Sequence, residues 1–278
     1  MQIIENENLS KYTTVGIGGN VKEMVIPESR DELLSILKEK KPKYILGGGS
    51  NLLIAEHEFE YVLNTRKFDV SIEDRGEGEF NVGASLRLQK LIDFINEAGY
   101  GGIEYLYSVP GLVGGAVVMN AGRGKSYNKS ISDYIVEIEV YYKEEVKRLK
   151  KHECSFSYRD SIFKGGDYVI LSVVFKFPRM SKEESSRLKQ ERLALCRKQQ
   201  DNSAQNFGSV FCECNDRIMG LVSKIKLQSG NVFFSSKTRN WLLNKGGTYS
   251  DVINVMKKVE KIHKIFGKKI NREIVIWN

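Results

Sequence analysis

A short apolar strand that runs directly into three consecutive glycines most constrains the fold of this chain. Residues 44–46 form the predicted strand, and Gly-Gly-Gly-Ser-Asn follows at 47–51. An amphipathic helix is predicted before it at 29–40, after a strand at 23–26. Because two strands flank one helix, the pattern predicts a β-α-β arrangement within an α/β or α+β domain.

The rest of the hydrophobic pattern predicts further strands and three more helices. The strands are at residues 61–64, 70–73, 80–82, 134–142, 168–177 and 270–277, and the helices are at 86–98, 181–200 and 250–266. The strands at 134–142 and 168–177 are expected to join the sheet of the earlier strands. Pro178 closes that block, so the charged helix that follows is expected to link two domains. Residues 1–178 are predicted as one domain, with subdomains of about 1–63 and 64–178, and residues 179–278 as another.

Charge and cysteine content narrow the classes of function. The net charge of +8 would suit a polyanion, but the basic residues are scattered among glutamates without interleaved aromatic residues, so no nucleic-acid partner is expected. No basic start precedes an apolar run, and no stretch approaches about 18 apolar residues, so we expect a cytoplasmic protein without membrane association. Four cysteines without a complementary pair or nearby histidine predict free thiols and no metal site.

The first glycine-rich segment has the chemistry of an anion cradle. Glycines lack Cβ atoms, so the backbone N–H groups of 47–49 can converge on phosphate oxygens, and Ser50 and Asn51 add side-chain donors. A diphosphate would fit. The segment lacks the lysine of a Walker loop and the spacing of a G-x-G-x-x-G motif. A tight turn without a ligand is the alternative.

A second glycine-rich segment spans residues 108–122. Small residues over such a length predict a backbone that lies close against a flat ligand or against another chain segment. An isoalloxazine ring is flat. A loop between sheet elements, with no ligand, explains the same residues equally well.

Three polar residues are the other candidates for chemistry. Arg159 offers a planar fork of donors to a carboxylate or phosphate, although a salt bridge to Asp160 is the alternative. Ser209 follows Gly208 in a turn, but no histidine is near in sequence, so a serine hydrolase is poorly supported. Glu273 stands alone in the C-terminal strand, where a glutamate is usually solvated.

Taken in order, these segments resemble the UDP-N-acetylenolpyruvoylglucosamine reductase family, also called UDP-N-acetylmuramate dehydrogenase, in its compact subtype. The matching motifs are residues 12–19, 46–52, 109–122, 157–163, 208–211 and 271–273. The resemblance implies an α+β protein with a vanillyl-alcohol-oxidase-type FAD-binding fold, built from two α/β subdomains. It also implies a separate α+β substrate-binding domain at 179–278, whose C-terminal strand returns to the active site.

The resemblance implies non-covalent FAD as the cofactor and NADPH as the co-substrate. The residues that would hold the FAD diphosphate are Gly47, Gly48, Gly49, Ser50, Asn51 and Leu52. Those that would line the flavin are Pro110, Gly111, Gly114, Gly115, Ala116, Asn120 and Gly122.

The implied reaction is the reduction of UDP-N-acetylglucosamine enolpyruvate to UDP-N-acetylmuramate in peptidoglycan synthesis. In it, Arg159 and a protonated Glu273 would hold the enolate-like carboxylate, and Ser209 would deliver the final proton. Tyr158, Arg159 and Ser209 would contact this small-molecule substrate. A monomer is expected.

The flavin side matches the family's usual residues better than the substrate side does. Cys212, Glu213 and Cys214 replace a lysine or polar residue, an asparagine and a proline, Val275 replaces an arginine, Thr238 replaces a histidine, and Arg123-Gly124-Lys125 is atypical. Two alternatives therefore stay open. One is a flavin-dependent paralogue that acts on another nucleotide sugar, and the other is a flavin-binding protein without catalysis.

Overall fold

The computed structural model describes residues 1–124 and 128–278, so Lys125 of the atypical loop lies outside the described residues. The chain divides into two compact units. The first unit comprises Met1–Ile4, Met24–Gly48 and Tyr61–Cys196, and the second comprises Glu5–Glu23, Gly49–Glu60 and Arg197–Asn278. Their contacts therefore group residues 5–23 and 49–60 with the C-terminal part of the chain. The division predicted from the sequence, at residue 178, places them in the first domain instead.

The described residues contain helices α1 (Arg30–Lys40), α2 (Leu88–Glu97), α3 (Val113–Val118), α4 (Lys182–Gln199), α5 (Asp216–Lys224) and α6 (Tyr249–Ile265). Short 3₁₀ helices are Leu9–Tyr12, Glu104–Leu106, Ile131–Tyr134, Lys151–Cys154 and Ile162–Gly165. The strands are β1 (Gln2–Asn8), β2 (Asn20–Ile26), β3 (Ile45–Leu46), β4 (Leu52–Ile54), β5 (Phe59–Asn64), β6 (Ile72–Gly76), β7 (Glu79–Gly83), β8 (Gly122–Arg123), β9 (Lys129–Ser130), β10 (Ile135–Tyr142), β11 (Glu145–Lys150), β12 (Val169–Lys176), β13 (Phe211–Glu213), β14 (Gln228–Ser229), β15 (Val232–Phe234), β16 (Leu242–Asn244), β17 (Asn271–Arg272) and β18 (Val275–Trp277).

A five-stranded sheet of order β11-β10-β12-β7-β6 organises the first unit. Its central strand β12 is buried at every residue except Lys176 and pairs antiparallel with β7, Val173 opposite Val82. The strands predicted at 134–142 and 168–177 therefore join those predicted at 70–73 and 80–82. The expectation of one common sheet is wrong, because β2, β3 and β5 lie in a separate sheet of order β1-β2-β5-β3.

Helices α1 and α6 begin where polar side chains satisfy free backbone N–H groups. Ser29 caps α1 by accepting from Glu32 N, and Thr248 and Asp251 form a reciprocal capping box at the start of α6. Gly99, with φ +81°, follows α2, as predicted for a helix-ending glycine. In the first unit α1, α2 and α3 contribute to one apolar core with the sheet. Among the described residues, no helix has the length and apolarity that a membrane span needs.

The second unit has its own core, to which β13, β15, β16, α5 and α6 contribute. The single strand predicted at 270–277 is wrong. Two short strands occupy this stretch: β17 pairs antiparallel with β13, and β18 pairs parallel with β4. The chain changes partner at Glu273, whose N donates to Val210 O at 2.8 Å, while Val275 N donates to Asn51 O at 3.0 Å.

Candidate active site

The two glycine-rich segments contact each other within the first unit. A Cβ atom added to Gly48 would lie 3.0 Å from the Cα of Gly111, so the two backbones touch with no side chain between them. The second segment is fixed in turn to the strand-helix connection before α2. Val113 N donates to Leu86 O and Gly114 N donates to Ala84 O, both at 2.9 Å. The sequence prediction of backbones in close approach therefore holds at this contact.

Each segment also carries a glycine that faces open space. A Cβ added to Gly47 or to Gly115 would meet no other atom of the described residues within 4 Å. A backbone surface without side chains lets a flat ring or a diphosphate approach peptide N–H groups directly. These residues of the first unit therefore fit the FAD that the resemblance implies.

The segment passes into the second unit after Gly48. Gly49 has φ +67°, and a Cβ there would lie 1.8 Å from Tyr12 O, so no larger residue fits this backbone. Thr14 holds the segment from the same side, since its N donates to Gly49 O at 3.2 Å and its Oγ1 to Ser50 O at 3.4 Å. The motif near the N-terminus therefore supports the residues predicted to bind the diphosphate.

Arg159 lies in a tight turn of the first unit with φ +58°, a conformation that non-glycine residues seldom adopt. Ser157 and Asp160 close the turn by exchanging backbone hydrogen bonds of 3.1 and 3.2 Å. The guanidinium donates from Nη1 to Asn120 O at 3.3 Å and from Nη2 to Gly122 O at 2.6 Å. Two neutral carbonyls thus orient a cation, and they do not neutralise its charge.

Asn120 fastens the flavin segment to this turn. Its buried side chain donates from Nδ2 to Ser157 O at 2.8 Å and accepts at Oδ1 from Ser132 N at 3.3 Å. Ser161 adds a hydrogen bond of 2.7 Å from Oγ to Val118 O. The structure therefore brings together Asn120 and Gly122, predicted to line the flavin, and Arg159, predicted to be catalytic.

Ser209 and Glu273 lie close together in the second unit. Ser209 forms an isolated antiparallel bridge with Trp241, and its neighbour Val210 accepts from Glu273 N at 2.8 Å. Both Ser209 and Glu273 are half-buried. The two residues flank the same pair of strands, since Ser209 precedes β13 and Glu273 follows its partner β17.

Asn240 is a functional candidate that the sequence reasoning missed. Its Oδ1 accepts from Phe211 N at 3.2 Å, and its Nδ2 donates to Phe211 O at 2.7 Å. Its own O accepts from Val210 N at 2.9 Å. A side-chain amide that mimics a strand neighbour on both backbone groups fixes the segment that carries Ser209.

Asn51 links the diphosphate segment to the C-terminal strands. Its Nδ2 donates to Glu273 O at 3.1 Å, and its O accepts from Val275 N at 3.0 Å. Leu52 then begins β4, opposite Val275 of β18. The second unit therefore places Asn51, Glu273 and the Ser209 segment side by side.

Three residues that depart from the family's usual pattern, Glu213, Cys214 and Thr238, have defined surroundings in the second unit. The Glu213 carboxylate accepts from Asn271 Nδ2 at 2.7 Å, so it is tied to β17. Burial, followed by the charge of Asp216, raises the pKa of the Cys214 thiol to about 11, which keeps the thiol protonated. Thr238 Oγ1 donates to Gln199 O at 2.7 Å.

Metal chemistry has no visible basis in the described residues, which contain no group of three or more His, Cys, Asp or Glu side chains arranged to hold an ion. His263 is fully buried and fully bonded: Nδ1 lies 2.9 Å from Val259 O, and Nε2 accepts from Asn215 N at 3.0 Å. The four cysteines are free thiols.

Comparison with known proteins places the whole chain among similar sequences. A family model described as an FAD binding domain matches residues 21–146. The UDP-N-acetylenolpyruvoylglucosamine reductase of Fusobacterium nucleatum is 30% identical over 285 residues, covering 99% of each chain. That of Thermotoga maritima is 32% identical over 282 residues, covering 98% of this chain and 97% of the relative. The crystal structure of the reductase from Thermus caldophilus covers 100% of both chains with a TM-score of 0.80 and 27% identity.

Proposed function

This chain belongs to the UDP-N-acetylenolpyruvoylglucosamine reductase family, and from that premise we propose that it reduces UDP-N-acetylglucosamine enolpyruvate to UDP-N-acetylmuramate for peptidoglycan synthesis. It is an FAD-dependent oxidoreductase, with NADPH as hydride donor. Its α+β fold is of the vanillyl-alcohol-oxidase FAD-binding type, as the resemblance predicted. The observation that carries the proposal is the match to relatives over 99% of the chain.

When bound, FAD supplies the redox chemistry by taking hydride from NADPH and giving it to the vinyl group of the substrate. The residues that would hold it are the backbone groups of Gly47–Asn51 and of the Pro110–Gly122 segment. In the first unit, the contact of Gly48 with Gly111 supports this assignment, as do the open faces of Gly47 and Gly115. The protein's contribution to this step is a preformed backbone surface that needs little rearrangement on binding.

Arg159 would hold the substrate carboxylate as negative charge develops on it. The carbonyls of Asn120 and Gly122 fix the guanidinium in one orientation. A cation aimed in advance at developing charge stabilises the transition state more than the ground state. We assign a protonated Glu273, tied by its backbone to Asn51 and Val210, to the same carboxylate.

Ser209 would give the final proton to the carbon beside the carboxylate. A serine hydroxyl is a very weak acid, so it can serve only against a strongly basic carbanion. Its position is supported by the bridge to Trp241 and by the Asn240 side chain on Phe211. Those contacts restrict the backbone that carries the hydroxyl, so the proton is held in one place.

The location and assembly state complete the proposal. Free thiols are typical of a reducing compartment, which supports a cytoplasmic enzyme.

We also propose that the enzyme acts as a monomer. Size-exclusion chromatography with light scattering should give one species of about 31.7 kDa, and a dimer peak would contradict this part.

The decisive assay is NADPH oxidation in the presence of UDP-N-acetylglucosamine enolpyruvate. Purified protein should be yellow, release intact FAD on denaturation, and oxidise NADPH at a rate that depends on the enolpyruvyl compound. UDP-N-acetylglucosamine, which lacks the enolpyruvyl group, is the matched control and should give no added rate. If NADPH consumption were unchanged by the enolpyruvyl compound, the paralogue that acts on another nucleotide sugar would be favoured. A colourless protein that binds no FAD would exclude both the reductase and the flavin-dependent paralogue.

A further inference from the structure

The hydroxyl group of Tyr105 in the first unit is buried but unsatisfied. It has no hydrogen-bond partner among the described residues. A polar group that loses water without gaining a partner destabilises the folded protein. The usual partner of such a buried group is an ordered water or a ligand.

The chain around Tyr105 lies beside residues assigned to the cofactor. Its 3₁₀ helix, Glu104–Leu106, contacts β8, the strand that begins with Gly122. Gly122 O accepts from Arg159 Nη2 at 2.6 Å, and the charge of Arg159 acts on the Tyr105 phenol. Tyr105 therefore lies in the same neighbourhood as Gly122 and Arg159.

Nearby acidic groups are engaged with other donors. Glu104 accepts from Asn96 Nδ2 at 2.8 Å and from Gly102 N at 2.9 Å. Asp133 accepts from Ser130 N at 2.9 Å. Burial, reinforced by Tyr134 and these acids, raises the pKa of Tyr105 well above its usual range, so the phenol stays a protonated donor. Among the described residues no acceptor reaches this hydroxyl, which leaves room for an acceptor supplied by a bound ligand.

We propose that the Tyr105 hydroxyl donates a hydrogen bond to an acceptor atom of the isoalloxazine ring of FAD, bound beside Gly122. The inference rests on the proposed function, because it takes FAD as the ligand of this segment. Tyr105 thereby becomes a cofactor-binding residue in addition to those assigned from the sequence. It would also tune the flavin, since a hydrogen bond to the ring shifts its absorption and its potential.

Tyr105→Phe tests this, with Tyr141→Phe as the matched control. The Tyr141 hydroxyl, on β10, is also buried without a partner in the part of the chain that the structure describes, but the charges that act on it are those of Glu144 and Lys41. Each variant loses one unsatisfied hydroxyl. Dilution of the holoenzyme, followed by the fluorescence of released flavin, measures FAD dissociation.

We expect Tyr105→Phe to weaken FAD binding by about tenfold, the equivalent of roughly 1.4 kcal/mol, and to shift the flavin absorption bands. Tyr141→Phe should change neither. Equal FAD affinity and spectra in wild type and Tyr105→Phe would overturn the inference. So would a Tyr105→Phe protein whose FAD-free form unfolds at a lower temperature than that of Tyr141→Phe, because the hydroxyl would then have a protein partner. Failure of the wild type itself to bind FAD would instead overturn the proposed function, and this inference with it.

Discussion

One contact from each compact unit shows a different way of positioning candidate residues. In the first, Gly48 and Gly111 touch because atoms are absent, and Gly47 and Gly115 leave open space beside the backbone. In the second, Asn51 and Glu273 meet through a hydrogen bond between residues 222 apart in the chain. The first arrangement fails when an atom is added, and the second fails when a bonding group is removed. Substitutions in each unit should therefore affect different steps.

Ser209→Ala should give the largest effect and the clearest separation between the units. We expect flavin reduction by NADPH to keep its rate, and oxidation of the reduced enzyme by the substrate to slow by about 10²–10⁴-fold, the usual contribution of a positioned acid. Stopped-flow absorbance at the flavin band follows both half-reactions. The exposed Ser236, changed to Ala, is the control and should alter neither. Equal slowing of the two half-reactions would refute the assignment of Ser209 as proton donor.

The same contrast explains what could be predicted from sequence. Helices α1, α4 and α6 lie within one or two residues of their predicted bounds, because periodicity and capping residues such as Ser29 and Thr248 are local signals. The two glycine-rich segments could be predicted as candidate ligand-binding segments because their glycines are apparent in the sequence itself. Glycine at both positions permits the contact between Gly48 and Gly111, but the sequence did not reveal that the two segments meet.

The structural features that could not be predicted from the sequence depend on pairing between short strands that are distant in the chain. Strands β13 to β17 have two or three residues each, too few for an alternating pattern to be read. The role of Asn240 on Phe211 and the change of partner at Glu273 arise only when those strands assemble. The attachment of residues 5–23 and 49–60 to the C-terminal unit is of the same kind. The roles of Arg159, Ser209 and Glu273 were carried by resemblance and stay proposals.

Gly48→Ala should give the next largest effect, and it should act on cofactor binding rather than on one half-reaction. The added Cβ would lie 3.0 Å from Gly111 Cα, so the glycine segments must separate. Overpacking of this kind costs about 1–3 kcal/mol, and we expect FAD affinity to fall by about tenfold. Gly165→Ala, where a Cβ meets no described atom within 4 Å, is the matched control. Unchanged FAD affinity in Gly48→Ala would show that the contact between the segments does not shape the cofactor site.

The smallest effect expected is on the acid stability of the second unit. Asp201 accepts from Ser235 Oγ at 2.6 Å and from Ser203 N at 3.1 Å. Partial burial acts to raise the pKa of Asp201, but these hydrogen bonds and the charge of Lys237 lower it on balance. Because the folded pKa is depressed, its stabilisation is complete above the unfolded pKa of about 3.9 and is lost as pH falls through the folded pKa.

Asp201→Asn should therefore unfold at a lower urea concentration than wild type near pH 7, and the difference should shrink as the pH falls below about 4. Urea unfolding across this range measures it, with Asn at the exposed Asp167 of the first unit as control. A difference that persists unchanged at low pH would mean that the carboxylate charge does not stabilise the second unit. The hydrogen bonds to Ser235 and Ser203 would then act equally well with a neutral acceptor. The contrast between the two units would then rest only on the backbone pairing within the second unit, and not on the charge of Asp201.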